Sequence, residues 1–428
     1  MPRDKPADWR TEAAAGITTF FTMAYIVVVN PSILSTPGTG IAFSGALTAT
    51  VLVCFLLTLM MGLYADLPFA VAPGMGINAF FTFSIVLGAK VPWPTALGIV
   101  FWSGVAFVLV SVTPLRERVA RAIPPNLRTA AAVGIGLFLT FIGLKNAGLV
   151  VADPATFVRL GDLGREAALC GLGLVVTAVL LRRRSPFAFL AGIAAATAGA
   201  AALGLIAAPA RLVSRPDFSS VFLKLDVFGA LKLALLPSIV SIFFTDLFDS
   251  ISTFIGVSEA AGLLDAKGEP RNLRQGLIVD AFATLGAALA GSSSGTAFIE
   301  SAAGIEAGGR TGLTSVFTAL CFLPCLFLSP VAGLVPAYAT APVLILIGAA
   351  MFKSAAKLPT DKIEDALPAF LTVVLIPLTF SITQGILWGF LSHVVLYALA
   401  GRRREVPPML WGLALVSAGL INLEHARR

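Results

Sequence analysis

Three carboxylates, Asp246, Asp249 and Glu300, stand inside runs of apolar residues. Insertion scales put an acidic side chain at the centre of a membrane helix at roughly 2.5–3.5 kcal/mol. A residue held against that penalty serves a cavity, a partner or a proton. Asp246 and Asp249 fall three apart in Thr245-Asp246-Leu247-Phe248-Asp249-Ser250, so on a helix both lean to one face. Two carboxylates that close form a candidate proton carrier as well as a ligand. The structural alternative for each is a bond to a helix end or a neighbouring hydroxyl.

Glu300 lies in Ser292-Ser293-Ser294-Gly295-Thr296-Ala297-Phe298-Ile299-Glu300-Ser301, a segment opened by hydroxyls and glycine. A second short segment, Ala72-Pro73-Gly74-Met75-Gly76-Ile77-Asn78-Ala79-Phe80, carries Asn78 at a matching place. Pro73 removes a backbone donor and Gly74 and Gly76 weaken the helix, which predicts a helix that starts here instead of running through. Such a half-helix turns unpaired N–H groups toward a cavity. A tight glycine-rich helix crossing would have the same composition. Asp280 reads as a snorkelling or structurally bonded acid near the boundary of its run, and Glu12 as a helix-terminus charge. His393 and His425 have no nucleophile or metal partner at a recognisable spacing. Cys54, Cys170 and the Cys321/Cys325 pair read as small packing residues, so neither metal nor cofactor is expected.

The elements that position these residues are membrane helices. The chain has 428 residues, 57% hydrophobic and only 12% charged, against roughly 25% charged in a soluble domain. Apolar runs long enough to cross a ~30 Å hydrocarbon core recur throughout, and they are too long and too evenly apolar for barrel strands. Fourteen spans are predicted, near 15–36, 44–65, 69–89, 94–113, 128–150, 166–181, 187–208, 234–256, 275–290, 291–308, 312–334, 339–356, 365–381 and 384–400. The run 408–424 is short and fits an interfacial or extra helix. Met1 to Arg10 is polar and the first run lacks a small-residue cleavage pattern, so it is expected to remain as span one.

Lys and Arg set the orientation. Arg3, Lys5 and Arg10, then Arg116, Arg118, Arg121 and Arg128, then Arg182 to Arg184 and Arg402 to Arg404 all fall on one side of a fourteen-span chain. Both termini are therefore expected in the cytoplasm, with the loop of Arg211, Arg215 and Lys224 dissenting. This placement accounts for the net charge of +7 without a nucleic acid partner. Gly308-Gly309-Arg310-Thr311-Gly312 is read as a cytoplasmic turn between spans ten and eleven.

The halves echo each other. Phe20-Phe21-Thr22 recurs as Phe243-Phe244-Thr245; Asn78 follows Thr22 by 56 residues and Glu300 follows Thr245 by 55. Seven spans per half require the second half to be inserted upside down, and paired interrupted segments in an inverted repeat point to a transporter site at mid-membrane. The repeats are bounded at 1–215 and 216–405, with a tail at 406–428. An acidic site repels anions and welcomes donors. A purine base offers ring N–H groups to a carboxylate, acceptors to Asn78 and flat faces on which Phe298, Phe80 or Phe243 can stack, although each phenylalanine taken alone reads first as ordinary packing.

The stretches Thr11 to Leu34 with Asn30-Pro31, Pro73 to Ala79, Phe243 to Asp265, and Glu300-Ser301-Ala302-Ala303-Gly304 through Leu313 resemble the nucleobase–cation symporters. The branch they resemble is that of the adenine–guanine–hypoxanthine permeases, and the likeness covers nearly the whole chain. The resemblance implies an all-α polytopic protein of the inner (plasma) membrane with a seven-plus-seven inverted repeat. It implies a core domain at 11–113 plus 234–334 and a gate domain at 128–208 plus 339–400. It also implies a short strand and half-helix in spans three and ten, and proton symport. Asn78, Asp246 and Glu300 match the base-binding positions, with Phe298, Ala79 and Ser293 beside them; Asp246, Asp249 and Glu300 are the expected proton-coupling set. The opening from Gly291 to Thr296 departs from the branch in being richer in serine. A second copy of the chain is left open as a partner. The rival readings are a uracil, xanthine or other small-solute carrier on the same architecture and, more distantly, a membrane enzyme or receptor, for which no nucleophile, metal set or soluble domain is found.

Overall fold

A computed structural model describes residues 8–113, 123–209, 211–260, 263–264 and 271–425. Arg3, Lys5, Arg116, Arg118, Arg121, Asp265 and the side chain of His425 lie outside the described residues.

Every apolar run becomes a helix or an interrupted segment. In the first half these are α1 (Trp9–Met23), α2 (Ile26–Leu34), α3 (Phe43–Leu63), β1 (Val71–Ala72), α4 (Met75–Ala79), α5 (Trp93–Val112), α6 (Pro125–Asn146), α7 (Arg165–Arg182) and α8 (Ala188–Ala202). The second half gives α9 (Leu236–Ala260), α10 (Leu273–Ala290), β4 (Thr296–Ala297), α11 (Ser301–Glu306), α12 (Gly312–Phe322), α13 (Ser329–Ala332), α14 (Ala337–Phe352), α15 (Ile363–Leu378) and α16 (Ile382–Leu399). The run at 408–424 forms one further helix, α17 (Pro408–His425), laid against α16. Among the described residues eight helices are long and apolar enough to cross a bilayer. Large apolar side chains such as Leu109, Val175, Phe370 and Leu415 are more than half exposed around the bundle, as a lipid-facing surface requires.

Two sets of helices pack mainly within themselves: α1, α2, α3, α5 and α9 to α12 in one, α6 to α8 and α14 to α16 in the other. Small residues let backbones meet at the crossings. A Cβ on Gly136 of α6 would lie 2.8 Å from the Gly348 carbonyl of α14, and one on Gly312 of α12 only 2.0 Å from the Gly62 carbonyl of α3. Glu12 sits in the first turn of α1, the helix-terminus charge expected of it, and it also accepts from the N–H of Arg310 at 3.1 Å and from the Thr314 hydroxyl at the start of α12.

Two features escape the sequence reading. One is a hairpin after α6, β2 (Val150–Asp153) against β3 (Phe157–Leu160). The other is the course of residues 211–228, which are tied to helices of the first set. Asp217 accepts from Ser44 of α3 at 2.8 Å and from Ser220 at 2.7 Å, Asp226 accepts from Thr95 of α5 at 3.0 Å, and Trp102 donates to the Val227 carbonyl at 2.9 Å. Partial desolvation opposes ionisation of Asp217, but the hydrogen bonds from Ser220, Ser44 and Ser219 outweigh it and hold its pKa down at about 2. A folded pKa below the ordinary ~3.9 means stability that is present above pH 4 and lost as pH falls toward 2. The thermal midpoint of the wild type in detergent is expected to exceed that of Asp217→Asn at pH 5, with the gap closing between pH 4 and 2. A gap that does not change with pH would show that the carboxylate charge does not hold this loop.

Candidate functional site

Extended backbone inside a membrane protein must find partners for every N–H and C=O. Here β1 and β4, one from each half, pair antiparallel with Val71 opposite Ala297 and Ala72 opposite Thr296. Side chains complete the two outer edges. Thr58 of α3 accepts from the Val71 N–H at 2.9 Å and donates to its carbonyl at 3.0 Å. Asp280 of α10 accepts from the Ala297 N–H at 2.6 Å and from the Ser250 hydroxyl, and Thr284 donates to the Gly295 carbonyl at 3.0 Å. Asp280 therefore does not snorkel. It is fully buried and holds the edge of β4.

A half-helix leaves each strand. Gly74 caps α4, which continues as a wider π-type helix to Gly88, and α11 begins at Ser301 directly after Glu300. Gly76 meets α6 closely, since a Cβ there would lie 2.6 Å from Ile135 Cγ2. The tight-crossing reading of these glycines thus holds at Gly76 together with the helix start. A cavity of about 180 Å³ lies between the strands and half-helices on one side and α6 and α14 on the other. Its walls include Glu300, Phe298, Asp249, Thr245, Tyr25 and Arg128.

The expected residues divide. Glu300, Phe298 and Asp249 face the cavity, Asp249 with an exposed side chain. Asp246 does not share that face: it is fully buried, accepts from Thr284, and its Oδ1 has no partner among the described residues. Asn78 and Ser293 are also fully buried, with polar atoms unpartnered among the described residues, and Ala79 is buried beside Asn78; none of the three lines the cavity. Phe80 and Phe243 lie in the core, Phe243 edge-on to Phe107 at 6.3 Å. His393 is buried in α16, stacked on Tyr397 at 4.2 Å.

Sequence reasoning missed two cavity residues. Tyr25, at the turn between α1 and α2, donates to Glu300 Oε1 at 2.6 Å. A tyrosine within an apolar span, five residues before Asn30-Pro31, was the available signal. Arg128, read only as an orienting charge, is half-buried in the cavity wall and its Nε has no partner among the described residues.

Interrupted helices from two halves, meeting around a largely apolar cavity that holds Glu300 and Asp249 inside a lipid-facing bundle, define a membrane carrier. The chain belongs to the permease family, whose profile matches residues 10–387, and is a transporter and not an enzyme. It is 41% identical to the adenine permease AdeP of Escherichia coli, over 95% of this chain and 91% of that one. It is 38% identical to the guanine/hypoxanthine permease PbuO of Bacillus subtilis, over 97% of each. The resemblance read from the sequence, to the adenine–guanine–hypoxanthine permeases, is thereby established. The fold is similar to the transmembrane domain of the cyanobacterium bicarbonate transporter BicA, with a TM-score of 0.69, 17% identity, and coverage of 90% of this chain and 98% of that one.

Proposed function

We propose that this permease imports purine bases, adenine, guanine or hypoxanthine, together with a proton by alternating access across the inner (plasma) membrane. The carrying observation is the β1–β4 pairing, which brings two half-helix starts, Glu300, Phe298 and Asp249 to one cavity. In this reading Glu300 accepts from base N–H groups and Phe298 stacks on the ring. Asn78, with Ala79 and the first half-helix, serves the base's acceptors, and Ser293 the opening of the second segment. Asp246, Asp249 and Glu300 carry the coupling proton. Unpartnered buried polar atoms on Asn78, Ser293 and Asp246 support it, because leaving such groups unbonded costs about 1–3 kcal/mol each. They would gain partners as the half-helices shift around a bound base.

The same reading takes fourteen spans as a seven-plus-seven inverted repeat, with α1–α2 as span one. Residues 11–113 and 234–334 form the core, and 128–208 and 339–400 the gate. The two separately packed helix sets support that division, as does the symmetric contact of α1 with α11 and of α9 with α4. In this reading both termini lie in the cytoplasm, which the basic clusters of the sequence support. The part of the cavity wall at the start of α6 and the end of α14, with Arg128 and Met351, then lies toward the cytoplasm.

Purified protein in liposomes is expected to accumulate radiolabelled hypoxanthine, guanine or adenine under an inwardly directed proton gradient, with weaker competition from uracil and xanthine. Uptake that ignores the gradient removes the proton; an absence of uptake for all three purines removes the substrate class.

A further inference from the structure

The segment that joins the two halves, residues 211–233, carries the acids Asp217 and Asp226 and the bases Arg211, Arg215, Lys224 and Lys232. The structure treats the two signs differently. Both oxygens of Asp217 accept from Ser44, Ser219 and Ser220, and those of Asp226 from Thr95 and the Gly229 N–H. All four bases are exposed, with no ion pair or side-chain hydrogen bond among the described residues. The acids fasten the segment to the bundle, and the bases are left as a positive surplus on its surface. Large apolar side chains stand among them: Phe218, Phe222, Leu223, Phe228 and Leu233 are exposed, Phe228 by 85%. Apolar exposure at this density marks contact with another apolar body.

Depth along the bundle identifies that body. The Asp217 N–H donates to Thr48 in the second turn of α3 at 3.0 Å, the Asp226 N–H to the Pro94 carbonyl at the start of α5 at 2.8 Å, and the Leu223 N–H to the Leu289 carbonyl at the end of α10 at 2.9 Å. The segment therefore crosses the ends of three spans. It then runs down the side of α5. Trp102 donates to the Val227 carbonyl, and Ala230 packs on Gly98, where an added Cβ would lie 2.8 Å from the Ala230 Cβ. Gly98 is five residues into α5, about 7–8 Å from its start at 1.5 Å per residue. Interfacial segments seat their apolar side chains at such a depth, roughly 5–10 Å into the boundary between head groups and acyl chains.

We propose that residues 211–233 form a strap seated in the head-group layer of the bilayer, where Arg211, Arg215, Lys224 and Lys232 hold anionic phospholipids and the exposed phenylalanines enter the acyl boundary. The orientation taken above puts the strap in the leaflet away from the cytoplasm; the lipid contact itself does not rest on that orientation. Basic residues near an anionic lipid surface are attracted to it over about a Debye length, and salt screens the attraction. The one basic loop that dissents from the orientation of the other clusters then has its charge compensated by lipid.

A bimane fluorophore on Phe228→Cys reports the local lipid, in full-length protein whose four native cysteines are replaced by alanine. The protein is reconstituted in equimolar phosphatidylglycerol and phosphatidylcholine, with the acyl chains of one lipid or the other brominated as quencher. Brominated phosphatidylglycerol is expected to quench roughly threefold more strongly than brominated phosphatidylcholine. Combining Arg211→Gln, Arg215→Gln, Lys224→Gln and Lys232→Gln should bring the two lipids to parity. Potassium chloride at about 0.5 M should weaken the preference in the parent without any substitution of the bases. An absence of quenching by both lipids overturns the strap, placing it in water or under a second copy of the chain. Equal quenching in the parent overturns the anionic contact, as does a preference that survives the four substitutions or the added salt. The measurement is the same whichever way the protein inserts and needs no transported solute.

Discussion

Replacing Glu300 with Gln is expected to lower purine uptake by roughly 10–150-fold through base recognition alone. The substitution keeps the volume and a carbonyl oxygen for the Tyr25 hydroxyl, now 2.6 Å away. It removes the charge and turns an amide donor toward the N–H groups of the base. Hydrogen bonds to charged groups contribute about 1.5–3 kcal/mol, and each 1.4 kcal/mol is tenfold. Loss of a proton-carrying group adds to the defect under a pH gradient. Initial rates in proteoliposomes, with hypoxanthine binding measured in parallel by calorimetry, separate the two parts. Tyr25→Phe keeps the carboxylate and should give a smaller loss. A Glu300→Gln protein that binds and transports at the parent rate would remove Glu300 from the site.

The second large effect is structural. Gly312→Leu is expected to abolish recovery of folded protein, because even a Cβ there would sit 2.0 Å from the Gly62 carbonyl and 3.0 Å from its Cα. Backbone cannot yield as a side chain does, so the penalty should exceed the 1–3 kcal/mol typical of overpacking, on the order of 4 kcal/mol or more. The α12 start would be dragged from Asp66, whose Oδ1 accepts from the Gly312 N–H at 2.9 Å. Gly171 of α7 has nothing within 4 Å of the added Cβ, so Gly171→Leu should be recovered at parent yield. Size-exclusion profiles in detergent report both; a monodisperse Gly312→Leu peak of parent height would refute the argument.

Much of this arrangement was legible in the residues. Pro73, Gly74 and Gly76 mark a helix start that the structure has at Met75, and Glu300 was found because an acid inside an apolar run needs a reason. What stayed hidden depends on neighbours distant in sequence. Asp280 looks peripheral in its own run, yet its partner is the Ala297 N–H seventeen residues on. Asp246 and Asp249 share a helical face by spacing, but α10 covers one through Thr284 while the other stays open. No glycine or proline immediately marks the turn at Ala24–Tyr25; a bond to a residue 275 positions away is found there. The hairpin at 150–160 lacks apolar–polar alternation and so gave no strand signal. Arg128 illustrates a different limit, since a charge that orients a span and one that enters a cavity look alike in a sequence.

The pairing of Val71 with Ala297 and Ala72 with Thr296 bears on how the chain is made. Synthesis runs from the amino end, so more than two hundred residues separate the emergence of the first strand from that of its mate. Throughout that interval the nascent chain carries backbone donors and acceptors that its own upstream half cannot fully engage. Biogenesis must therefore shelter this segment, at the insertion machinery or in water, until the later half leaves the ribosome.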